Sequence, residues 1–144
     1  MHETVGDIWD YGNTGVIVIT TNGSLTCDGR AILGRGVAKQ AALRFPGLGD
    51  KLGRLITEQG NHVFDLGCGI VSFPVEETAW SHPDLRIIAR SAEELVMLAD
   101  RSGWHQIVVP RPGCGGGGLL WKEVKPLLEF CLDHRFLVIN NAAV

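Results

Sequence analysis

The stretch Ile107-Val108-Val109-Pro110-Arg111-Pro112-Gly113-Cys114-Gly115-Gly116-Gly117-Gly118-Leu119-Leu120-Trp121-Lys122-Glu123-Val124 decides the fold class. It opens on three consecutive β-branched residues. A short run that is apolar at every position predicts a strand buried on both faces, and so a parallel sheet covered by helices. Five glycines then fall within Gly113–Gly118, too few for a linker and placed between two ordered elements. Beyond them Val124, Leu127, Leu128 and Cys131 recur at helical spacing. The segment therefore reads strand, glycine-rich loop, helix.

The same unit recurs on either side. Val16-Ile17-Val18-Ile19 is a second fully apolar run. Gly34 to Phe45 reads as a helix with Val37, Ala38, Ala41 and Phe45 along one side, stopped by Pro46-Gly47. Leu48, Leu52, Leu55 and Ile56 suggest a further short helix. Val63 to Phe73 reads as one or two strands turning near Asp65–Gly69. Asp84 stands where an N-cap belongs, ahead of a stripe of Leu85, Ile88, Ala89, Ala92, Leu95, Val96 and Ala99. Phe136–Ile139 closes the series as a strand. Alternation of strands and helices predicts one α/β domain over residues 1–144: a three-layer α/β/α arrangement with a mixed, mainly parallel sheet and helices on both faces. In such sheets ligands bind beyond the carboxyl ends of the strands. That directs attention to Thr20–Gly36, Pro74–Trp80, Pro110–Gly118 and the tail from Asn140.

Composition removes several classes of function. Apolar residues make up 45% of the 144 and charged residues 20%, and the net charge is −3 with no basic block. Direct nucleic-acid binding is disfavoured, because phosphate backbones are held by clustered Lys and Arg. No apolar run approaches the length of a membrane span. Met1-His2-Glu3-Thr4 lacks the basic start of a signal peptide. The expectation is a cytoplasmic monomer. Cys27, Cys68, Cys114 and Cys131 are never paired at zinc-site spacing, so free thiols and no metal are expected.

Two of the segments after strands are rich in glycine: Gly34-Arg35-Gly36-Val37-Ala38, opening a helix, and Gly113–Gly118. Glycine lets backbone approach a ligand closely, and unpaired N–H groups at a helix start favour an anion. Two such loops facing each other suit a diphosphate. Neither is a P-loop, since no Gly-Lys-Ser/Thr follows.

These segments resemble a known family. Gly6-Asp7-Ile8, a buried strand, Thr20-Thr21-Asn22-Gly23, and Gly34-Arg35-Gly36-Val37-Ala38 are similar to the macrodomain pattern. Gln40-Ala41-Ala42-Leu43-Arg44-Phe45-Pro46 and Pro110-Arg111-Pro112-Gly113-Cys114-Gly115, with Leu120-Trp121-Lys122-Glu123-Val124 behind, resemble one branch of it. That branch holds terminal ADP-ribose protein glycohydrolases, antitoxins that reverse DNA ADP-ribosylation, and the yeast ADP-ribose-1″-phosphate phosphatase. The resemblance runs from Val5 to Ile139 and implies ADP-ribose as ligand, with no further cofactor. It places Asp7 on the adenine amino group, supported by the Ile8 N–H, and Asn22 near the distal ribose, with Thr21 beside it among the ligand-binding residues. Gly34, Arg35, Gly36 and Val37 fall on one side of the diphosphate. Gly113, Cys114, Gly115, Gly116 and Gly117 wrap the other, and Asn140 reaches the adenosine. An aspartate suits an exocyclic amine because its carboxylate only accepts hydrogen bonds. Trp9 would flank the base, Trp80 would line the cleft, and Trp121 would be core.

The chain departs from the hydrolytic members of that branch. They use a lysine after the central strand and an acid in the second loop. Ser72-Phe73-Pro74-Val75-Glu76-Glu77-Thr78-Ala79-Trp80 contains no lysine, and the acid's place falls at Gly117. The expectation is a module that binds ADP-ribose or an ADP-ribosylated macromolecule without turnover. The alternative is a hydrolase of ADP-ribosyl adducts, or an ADP-ribose-1″-phosphate phosphatase, working with other carboxylates. Asp28, Glu76 and Glu77 are the candidates.

Overall fold

The computed structural model describes residues 1–116 and 118–141. Six strands form one sheet in the order β1-β6-β5-β2-β4-β3. The strands are β1 His2–Gly6, β2 Val16–Thr21, β3 Phe64–Asp65, β4 Ile70–Pro74, β5 Ile107–Pro110 and β6 Phe136–Asn141. Every neighbouring pair is parallel except β3 with β4. The sheet is thus mixed and mainly parallel, as the alternation of elements predicts.

The apolar runs are explained by burial on both faces. In β2, Ile17 and Ile19 face one layer and Val18 the other; in β5, Val108 faces the first and Ile107 and Val109 the second. None of these six is more than 2% exposed. Each contributes about 1.5–3 kcal/mol of burial. The first layer holds a short 3-10 helix, Ile8–Tyr11, with α1 (Gly36–Arg44) and α2 (Leu48–Gln59). The second holds α3 (Leu85–Ser102) and α4 (Trp121–Cys131).

Local signals account for the boundaries. Asp84 caps α3 by accepting the Arg86 N–H at 2.8 Å, as its position suggests. The α1 helix begins at Gly36 rather than Gly34, because Arg35 is still extended (φ −145°, ψ 154°) and acts as the N-cap. The segment 63–73 divides into β3 and β4. Ser72 is fully buried between them, yet its hydroxyl is satisfied: it accepts from the Phe64 N–H and donates to the His62 carbonyl. Two elements have no counterpart in the sequence reading, β1 and the 3-10 helix. Trp121 packs against the second-layer core, as expected, but is only partly buried; its ring lies beneath Arg111 and its Nε1 donates to Glu3. No helix among the described residues is long and apolar enough to cross a membrane.

Candidate functional site

Because five strands run the same way, their carboxyl ends lie along one edge of the sheet. Read across it, the order is Gly6-Asp7, Asn140-Asn141, Pro110 with its loop, Thr21-Asn22, then Pro74 leading to Glu76. Four strand spacings at about 4.8 Å make this row about 19 Å long. Each anticipated ligand segment sits on the row or beside it.

At one end, Asp7 is exposed and caps the 3-10 helix, its Oδ1 accepting the Trp9 N–H at 3.0 Å. Its other oxygen has no hydrogen bond among the described residues. Ile8, 1% exposed, plugs this turn into the first layer. Trp9 is tied to α1: its Nε1 donates to Gln40 Oε1 at 2.7 Å, and the Arg44 guanidinium lies 4.4 Å from its ring centroid. Asn140 and Asn141 stand exposed at the end of β6, in register with Val5 and Gly6.

The two glycine-rich loops occupy the middle. Gly34 and Arg35, ahead of α1, and Gly36, its first residue, are exposed, and Val37 is buried beneath them. The helix has no side-chain cap, so its first N–H groups are left for another partner. The second loop is held shut at its base, where the Leu119 N–H donates to the Gly113 carbonyl at 2.7 Å. A Cβ at Gly118 would stand 1.9 Å from that carbonyl, so only glycine fits. Gly113 adopts φ +72° against Pro83 and Ile88 of the second layer. Cys114 is half-buried, and burial raises its thiol pKa, which suits packing rather than a nucleophile. Gly115 and Gly116 are exposed; Gly117 lies outside the described residues.

A buttress missed by sequence reading supports this loop. Glu3 of β1 accepts from Lys125 Nζ at 2.7 Å and from Trp121 Nε1 at 3.0 Å, with Arg111 3.8 Å away. Arg111 in turn stacks on Trp121, 4.7 Å from the ring centroid. The hydrogen bond from Lys125 chiefly lowers the Glu3 pKa. The only signal in the sequence was an arginine between two prolines at the loop entrance.

At the far end the segments after β2 and β4 are stitched together. The Gly23 N–H donates to the Glu77 carbonyl, and the Ala79 N–H to Ser24 Oγ. Asn22 is committed to its own loop: Oδ1 accepts the Ser24 N–H and Nδ2 donates to the Ile32 carbonyl. Thr21 is 3% exposed, and its hydroxyl has no partner among the described residues. Glu76 is 8% exposed. Its nearest cation is Arg35 Nη2, 3.8 Å from Oε1, which also donates to the Ala79 carbonyl at 3.3 Å. Burial raises the Glu76 pKa, while Arg35 and His82 pull against it. Glu77 and Trp80 are exposed. Asp28 lies at the tip of a small hairpin closed by the Leu25–Ala31 bridge, engaged by Thr26 and Arg30. The Thr26 hydroxyl chiefly lowers its pKa.

Two cavities flank the row rather than filling it. One of about 380 Å³ opens beside Gly34, between Thr26, Arg30, Ala42 and Asp50. The other, about 250 Å³, lies between His62, Phe64, Glu94, Met97 and Arg101.

No protein-family model matches the chain, and no curated protein matches it. Solved structures do. The macrodomain of Thermus aquaticus DarG superposes with a TM-score of 0.81 at 21% identity, covering 99% of this chain and 97% of that one. The macrodomain of Mycobacterium tuberculosis DarG gives 0.80 at 21% identity, with the same coverage. Thermosipho africanus DarTG in complex with ADP-ribose gives 0.77 at 17% identity, covering 99% of this chain and 42% of that one. The chain therefore has the macrodomain fold.

Proposed function

We propose that the row of strand ends is a binding cleft for ADP-ribose or an ADP-ribosyl derivative, and that the protein acts as a binding module. The observation that carries this reading is the order of groups along the row. A carboxylate with a free acceptor oxygen stands at one end, and an uncapped helix start and a closed glycine loop stand in the middle. That order matches a base, a diphosphate and a second sugar taken in turn. The structure of Thermosipho africanus DarTG with ADP-ribose supports the choice of ligand. The absence of any lysine in 72–80 supports binding over turnover.

Calorimetric titration tests it. ADP-ribose should bind in the micromolar range, with AMP and NAD weaker. Asp7→Ala should weaken ADP-ribose binding about tenfold or more, the loss of a charge-assisted hydrogen bond. Asp7→Asn keeps the cap on Trp9 and separates that role from adenine recognition. Unchanged affinity in both variants would remove Asp7 from the site.

The buried Glu76 favours a second reading, a hydrolase in which this carboxylate activates a water at the distal ribose. Analysing an ADP-ribosylated substrate after incubation with the protein separates the two. Release of ADP-ribose that Glu76→Gln abolishes would establish the enzyme.

A further inference from the structure

Glu76 is the acidic residue among the described side chains that is buried at the strand-end row. Its carboxylate faces the N-terminus of α1 across Arg35, which bridges Glu76 and the Ala79 carbonyl. No hydrogen bond is made to either carboxylate oxygen among the described residues, and Arg35 stands at 3.8 Å. Beside it, one residue past the β2–β4 register pair Thr21 and Pro74, the Val75 N–H donates to the Thr21 carbonyl, while the Thr21 hydroxyl is buried without a partner among the described residues. Buried polar groups are ordinarily satisfied, so an unpaired one calls for a partner from outside the side chains around it. Here an acceptor-only carboxylate and a hydroxyl, both buried and both under-used, close the end of the row opposite Asp7.

Resting on the ADP-ribose reading, we infer that Glu76 sets the chemistry of the group carried on the distal ribose: a hydrogen-bond donor is accepted there and a phosphate is excluded. A carboxylate accepts from a sugar hydroxyl or a protonated nitrogen and cannot donate to a phosphate oxygen. Like charges brought together in a desolvated pocket oppose binding strongly. The single nearby guanidinium is already shared between Glu76 and the Ala79 carbonyl, so it cannot neutralise a second anion. The site therefore takes ADP-ribose with a free or nitrogen-linked anomeric carbon, and the phosphatase alternative is disfavoured.

The test compares ADP-ribose with ADP-ribose-1″-phosphate, by calorimetry near neutral pH, on the wild type, Glu76→Gln and Glu76→Ala. The wild type should prefer ADP-ribose by about tenfold or more. Glu76→Gln should tighten binding of the phosphate and bring the two ligands within about threefold. Glu76→Ala should also admit the phosphate but weaken ADP-ribose, since it removes the acceptor. A merely structural role would weaken both ligands in parallel and leave their ratio unmoved; that result overturns the inference. So does a wild type that binds both equally. If neither ligand binds the wild type while AMP or another nucleotide does, the ADP-ribose reading itself fails.

Discussion

At the scale of single residues, the row of strand ends is marked by groups whose local demands are not met by neighbouring side chains. Glu76 is the clearest. Its pKa is raised by burial, so folding disfavours its ionised form. For a raised carboxyl, the relative stabilisation is full below the unfolded value of about 4.5 and is lost as pH rises through the folded value. Glu76→Gln should therefore melt higher than the wild type at neutral pH, with the gap closing as the pH falls below the ordinary carboxyl range. A gap that persists unchanged in acid would mean the variant acts through packing. A gain of stability from altering a site residue is the signature of a group kept for binding rather than for the fold. Much of this could be seen in the sequence, though not all. Asp7, Gly34–Val37 and Gly113–Gly116 could be named from motif and resemblance; Asp7 and Gly113–Gly116 follow strand ends, and Gly34–Val37 lies at the start of α1. The burial of Glu76 could not, because adjacent Glu76 and Glu77 are identical in type. Only the fold decides that one faces inward while the other is exposed.

At the scale of elements, the boundaries that composition dictates were legible. Fully apolar runs became central strands, Asp84 capped α3, and Pro46-Gly47 separated α1 from α2. The missed β1 carries His2, Glu3 and Thr4 on an edge, half of it solvated, so no apolar signal distinguishes it. The 3-10 helix is a single turn made by an aspartate cap, too short for periodicity to register. The hairpin around Asp28 owes its position to a close approach: a Cβ on Gly53 of α2 would lie 2.0 Å from the Gly29 carbonyl. Gly53→Ala should therefore cost about 1–3 kcal/mol, the range for overpacking, read as a lower urea midpoint with an unchanged slope. Because the same hairpin lines the cavity beside Gly34, this variant should also weaken ADP-ribose binding. The second loop depends likewise on its buttress. Trp121→Phe keeps the apolar contact but removes the hydrogen bond to Glu3. It should lower ligand affinity a few-fold, with a change in melting of about 1 kcal/mol or less.

At the scale of the whole molecule, the sheet order brings together the strand ends near residues 7, 21, 75, 112 and 140, which are spread over nearly the full chain. Saturating ADP-ribose at about a hundredfold over its dissociation constant should raise stability by about 2.7 kcal/mol, read as a shift of a single melting transition. The parallel register has a further consequence. The proposed adenine end needs β1 paired to β6, the first and last strands, so no fragment lacking either terminus holds the whole site, although the distal corner needs only β2 paired to β4. The ligand thus reports on closure of the whole topology. In hydrogen exchange, adding it should slow even the amides of Ile107–Val109 that exchange only through global opening, along with those lining the cleft.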